Sequence, residues 1–242
     1  MRLIRSYIDC RLACGLELAL PEATGNHIVR VLRLEPGDVF HLFNGDGHDY
    51  PAEILSLEKR GAKVRVVSRI VIGNETPLRI HLYQSIARGE KMDWILQKAT
   101  ELGVAAFTPM QSERTEVKLD QERSDKRLAH WQGVIRSACE QSGRAITPAL
   151  HSPVSINRLE PGGVRQGFYL QPGTGQRIAD LSPALSSEMA LAIGPEGGFS
   201  ERDMRQLLSA GFKGLSLGPR ILRTETAGIA AIAAMQSRFG DF

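Results

Sequence analysis

Three short stretches carry residue types whose spacing could do chemistry: LQPGTG at 170–175, IGPEGG at 193–198 and LGPRILRTETA at 217–227. Glycine lets a ligand approach the backbone closely and permits positive φ, while proline holds φ near about −65° and removes a donor. A Gly-Pro step therefore makes a stiff, sharply turned loop, able to offer fixed amides and carbonyls to an adenine or a ribose. Each stretch follows an apolar run that reads as a strand, and in open α/β sheets the ligand crevice lies beyond the carboxyl ends of the strands. One such loop is an ordinary connection. Three of them favour a small-molecule pocket built largely from main chain.

Other chemistries lose ground by the same reading. There is no G-x-G-x-x-G, P-loop, G-x-S-x-G or H-E-x-x-H pattern, which argues against dinucleotide oxidoreductases, ATPases and serine or zinc hydrolases. Cys10, Cys14 and Cys139 do not suggest a disulfide framework, and nothing near the first two supplies further zinc ligands. Free thiols and no metal are expected. No run of roughly 18 apolar residues offers a membrane span, and MRLIRSYID is too charged for a signal peptide. A cytoplasmic protein with no membrane partner is therefore expected. The chain has 242 residues, 42% of them hydrophobic and 24% charged, as in ordinary globular proteins, and its net charge of +3 permits a nucleic-acid partner without demanding one.

The elements that must position these loops are legible from periodicity. Residues 1–72 read as a β-rich domain, with runs of β-branched and aromatic residues separated by Asn44-Gly45-Asp46-Gly47 and by Lys59-Arg60-Gly61. GNETP at 73–77 gathers linker residues where the pattern changes. From 73 to 242 strands and helices alternate, predicting a mostly parallel sheet flanked by helices. One helix buries Met92, Ile95, Leu96, Ala99 and Leu102; another, within Gln121–Gly143, buries Leu128, Trp131, Ile135 and Ala138; the last runs through Met235. Ser200 is an N-cap with Asp203 at the third helical position, an imperfect capping box, and Phe199 can staple onto Met204.

The stretches HIVRVLRLEPGD, RGEKMDWILQKATELGV, ACEQSGR, LAIGPEGGFSERD and LGPRILRTETAGIAAIAAM together resemble the ribosomal small-subunit RNA uridine N3-methyltransferases known as RsmE, of the SPOUT superfamily. The resemblance spans almost the whole chain. It implies an α/β fold: a small N-terminal PUA-like β-barrel for RNA over 1–72, and a SPOUT-type methyltransferase domain with a deep trefoil knot over 73–242. It also implies a homodimer, S-adenosylmethionine bound between the three loops, and 16S ribosomal RNA as partner, with the assembled small subunit favoured as the substrate.

Carried over residue by residue, the resemblance assigns the cofactor pocket to Leu170, Pro172, Gly173, Ile193, Gly194, Glu196, Gly197, Gly198, Leu217, Gly218, Ile221, Leu222, Arg223 and Thr226. Gly194, Gly197, Gly198 and Gly218 are expected to be sterically required. RNA contacts are expected from Arg2, Arg5, His27, Arg30 and Arg33 in the first domain and from Arg88, Lys91 and Arg144 near the catalytic face. In the reaction this family performs, a cation must stabilise negative charge developing on the uracil; Arg223 is the first choice, with an ion pair to Glu225 as its rival role. Glu196 and Glu225 are candidate bases that could equally fix loop amides. Two alternatives stay open: a SPOUT enzyme for another ribosomal or transfer RNA nucleotide, and a non-enzymatic RNA-binding module that has lost the cofactor.

Overall fold

The computed structural model describes residues 3–58, 61–116, 121–160, 162–164, 166–173, 176–182 and 187–242, with backbone alone for 121–123. Its contacts divide the chain into two units, one of Met1–Glu75 with Arg136–Thr147 and one of Thr76–Ile135 with Pro148–Phe242.

The first unit holds strands β1 (Arg5–Tyr7), β2 (Glu17–Ala19), β3 (Val39–Phe43), β4 (His48–Glu58), β5 (Gly61–Val66) and β6 (Ile70–Val71), with a short helix α1 (Glu22–Asn26) that runs on into a π-helical turn at His27–Val31. Asn44–Gly47 forms the expected turn between β3 and β4, with Gly45 and Gly47 at φ +92° and +88°. The sheet order is β1-β3-β4-β5-β2, with β6 beside β4. Among the described residues only β1 pairs in parallel, with β3. Alternate residues of β4 and β5, namely Tyr50, Ala52, Ile54, Ala62, Val64 and Val66, point into one apolar core with Ile28, Phe40 and Leu42.

The second unit follows the alternating pattern. Its strands are β7 (Arg79–Ser85), β8 (Ala106–Gln111), β9 (Ala149–Leu150), β10 (Val154–Ser155), β11 (Gly167–Leu170), β12 (Gln176–Arg177), β13 (Glu188–Ile193) and β14 (Phe212–Ser216). Its helices are α2 (Lys91–Glu101), α3 (Gln121–Ser142, whose last turns belong to the first unit), α4 (Glu201–Ala210) and α5 (Thr224–Phe239). Every described pairing is parallel, in the order β10-β8-β7-β13-β11-β14-β12 with β9 beside β8. Met92, Ile95, Leu96 and Ala99 of α2 are buried as their spacing predicts, while Leu102 becomes the C-cap. Helix α5 continues past Met235 because Gln236 is buried and bonded: it accepts from Thr76 Oγ1 at 2.7 Å and donates to Leu102 O at 3.0 Å.

Two features of this order matter for the site. Strands β13, β11 and β14 are neighbours, so the loops that follow them emerge side by side. Strand β14, late in the chain, lies between β11 and β12, so two strands close in sequence are separated by one that comes later. Among the described residues no helix is long and apolar enough to cross a membrane.

Candidate functional site

At the carboxyl ends of β11, β13 and β14 the second unit encloses a cavity of about 390 Å³, a size ordinary for a small-molecule site. Leu170, Ile193, Leu215, Leu217 and Leu222 give it apolar walls, and the backbone around Gly194, Gly198 and Gly218 supplies polar groups. The loops are held from below. Thr224 Oγ1 donates to Gly194 O at 2.6 Å and accepts from the buried Gln84 Nε2 at 3.1 Å. Ser200 and Asp203 complete both bonds of a capping box at the start of α4, so aspartate suffices at this position. Asp203 also accepts from the Glu113 amide.

The glycines of these loops are not equivalent. Gly198 closes a turn onto Pro195 O at φ +67°, and Gly218 has φ +108°, so any side chain at either is strained. A Cβ on Gly194 would meet the Phe199 amide nitrogen at 3.2 Å. At Gly197 a Cβ would make only an ordinary contact, 3.4 Å from Arg114 Cδ. Steric need thus falls on Gly194, Gly198 and Gly218, and not on Gly197.

Most residues assigned to the pocket line it, including Pro172, Glu196 and Ile221, but Gly173, Arg223 and Thr226 do not. The reason on α5 is helical phase. The helix starts at Thr224, and Thr224 and Ala227, one turn apart, face the cavity while Glu225 and Thr226 rotate away. Arg223 is the N-cap, exposed, with its side chain making no capping bond. Gly173, at φ +70°, shapes the turn after Pro172. Thr174 and Gly175 lie outside the described residues. Sequence reasoning also missed Arg114, Met204, Arg220 and Thr224. The phase of α5 could have given Thr224, but nothing local marks Arg114, whose Nη1 donates at 2.8 Å to Gly197 O, 83 positions away.

Several charged residues around the cavity are partnered. Glu196 Oε1 accepts from the Arg88 amide at 3.3 Å and from Lys91 Nζ at 3.2 Å. Burial would raise the Glu196 pKa, but its own and the Arg88 amide together with Lys91 outweigh burial and hold it below the ordinary value. The Arg88 guanidinium pairs with Glu116. Glu225 Oε2 lies 3.6 Å from Lys91 Nζ.

A family model for an RNA methyltransferase domain matches residues 74–236, and one for an RNA methyltransferase PUA domain matches residues 20–67. The chain is 34% identical to the ribosomal RNA small subunit methyltransferase E of Buchnera aphidicola from Schizaphis graminum, over 99% of this chain and 98% of that one. It belongs to the ribosomal RNA small subunit methyltransferase E family. The Bacillus subtilis member is 32% identical, over 87% of this chain and 86% of its own. Two solved structures cover both chains completely: a Legionella pneumophila methyltransferase in complex with S-adenosylmethionine, at TM-score 0.95 and 40% identity, and the Neisseria gonorrhoeae family member bound to S-adenosylmethionine, at 0.89 and 38%.

The residues expected to meet RNA from the first unit of this family member fall into two groups. Arg5 is interior: it donates twice to Asp49, at 2.9 and 2.6 Å, and once to Cys139 O at 2.7 Å, with its side chain 3% exposed. Arg144 is also buried and makes a two-point contact with Glu75. Both hold the first unit together, which corrects the expectation of a surface role. His27, Arg30 and Arg33 instead lie exposed along the π-helical turn and its exit. Arg33 has φ +55°, the left-handed region, without glycine's freedom. Arg2 lies outside the described residues.

Proposed function

We propose that the protein transfers a methyl group from S-adenosylmethionine to N3 of a specific uridine in 16S ribosomal RNA, acting in the cytoplasm on the assembled small subunit as a homodimer. The observation that carries this reading is the three-loop cavity, whose apolar walls, glycine-opened backbone and volume suit a nucleoside ligand. The full-length relatives solved with S-adenosylmethionine support the same choice of cofactor. The insertion of β14 between β11 and β12 fits a knotted chain around that cavity. Ile221, apolar and 85% exposed at the rim, fits burial against a second copy.

The bound cofactor would supply an activated methyl group on a sulfonium. This chain's residues must place and neutralise the base. N3 lies on the Watson-Crick edge, so the uridine must be unpaired to be reached. The backbone of the three loops fixes one reactant, and His27, Arg30 and Arg33 hold RNA phosphates so that the other is aligned. Arg223, exposed beside the cavity, stabilises the negative charge on uracil as its N3 proton leaves. Glu196, kept ionised by three donors, fixes the loop, Glu225 is turned toward Lys91, and the N3 proton leaves to solvent. Mass mapping of nucleosides in small-subunit RNA from a deletion strain, with and without the gene restored, tests the assignment. The methylated uridine is expected to vanish and return with the gene, and its persistence in the deletion strain would refute the substrate.

A further inference from the structure

Lys91 sits at the first position of α2 with its ammonium between two carboxylates from different loops of the second unit. Nζ lies 3.2 Å from Glu196 Oε1 and 3.6 Å from Glu225 Oε2. The first is a hydrogen bond. The second is an attraction only, since Glu225 Oε2 is buried with no hydrogen-bond donor. The three side chains are 35%, 32% and 18% exposed, so the cluster is better shielded than an ordinary surface pair. Both acids belong to segments that build the cavity: Glu196 lines it, and Glu225 lies between Thr224 and Ala227, which also line it. Thr224 ties the same two segments through its bond to Gly194 O.

The geometry points to Lys91 as a positioning residue that clamps the 194–198 loop to the start of α5 and so sets the shape of the cofactor pocket, instead of serving as a contact for RNA phosphate. The inference rests on the cofactor reading above. Its physical content is charge balance. One ammonium serves two carboxylates, and without it Glu225 keeps a buried, unpaired oxygen while Glu196 and Glu225 repel each other, which pushes the two walls apart.

The test uses the full-length K91M, K91R and K91M/E225Q variants. S-adenosylmethionine binding is measured by calorimetry, RNA binding by its salt dependence, and steady-state kinetics by KM for cofactor against kcat, with melting curves to confirm folding. K91M is expected to weaken cofactor binding by roughly tenfold, to raise KM for the cofactor more than it lowers kcat, and to leave RNA affinity and its salt slope unchanged. K91R, which keeps the charge, should restore much of the loss. K91M/E225Q should bind cofactor more tightly than K91M, because the unpaired charge is gone. Cofactor affinity equal to wild type in K91M, or a loss confined to RNA affinity, would overturn the clamp. Failure of wild type itself to bind S-adenosylmethionine would instead refute the cofactor reading.

Discussion

The two units use charge and backbone in opposite ways. In the first unit the outward-facing groups suited to function are side chains, His27, Arg30 and Arg33, while Arg5 and Arg144 are closed inside on Asp49 and Glu75. In the second unit the surface suited to function is the main chain of three loops, and side chains such as Lys91 and Arg114 hold that main chain in place. A surface charge in the first unit can therefore change with little effect on stability. In the second unit a single added carbon can destroy the site.

The sharpest break of this contrast is R5M. Removing Arg5 leaves the buried Asp49 with His41 Nδ1, 3.1 Å from Oδ2, as its remaining side-chain partner, at a cost approaching about 3 kcal/mol, and chemical denaturation should show that loss; a change below about 1 kcal/mol would mean that His41 already balances the charge. Next comes G198V, which forces a β-branched residue to φ +67°. Calorimetry should detect no S-adenosylmethionine binding, while RNA binding by the first unit persists. Retained cofactor affinity would disprove the main-chain pocket. The double variant R30A/R33A should weaken RNA binding and lower its salt slope by about one per arginine with an unchanged melting temperature. R33G alone should hold or raise that temperature, since glycine accepts φ +55° without strain.

The smallest effect concerns pH. Burial, and then the nearby His151, push the His81 pKa down from 6.5 to about 4. Because the folded state refuses a proton that the unfolded chain accepts, stability from this site is present above pH 6.5 and is lost as the pH falls toward about 4. Urea midpoints at pH 7 and 4.5 should differ less for H81Q than for wild type. An unchanged difference would place the acid sensitivity elsewhere.

The elements were readable where the signal is local. The apolar spacing of Met92, Ile95, Leu96 and Ala99 gave α2, and the Ser200 cap gave the start of α4. Glycine and proline together after apolar runs marked the three pocket loops. The phase of α5 was harder: its start at Thr224, one residue after Arg223, decides that Thr224 and Ala227 meet the cavity while Thr226 does not. Arg5 and Arg30 look alike as sequence, and only the interior Asp49 separates them.

By itself the sequence determined the alternation of strand and helix, the turns that need glycine or proline, and the helix caps, because each depends on a few residues within one or two turns of chain. Only the tertiary structure decided that β13, β11 and β14 lie side by side, which arginines are buried, and that Lys91 meets Glu196 across 105 positions. Those outcomes depend on which distant segments close onto one another, and no local periodicity records that choice.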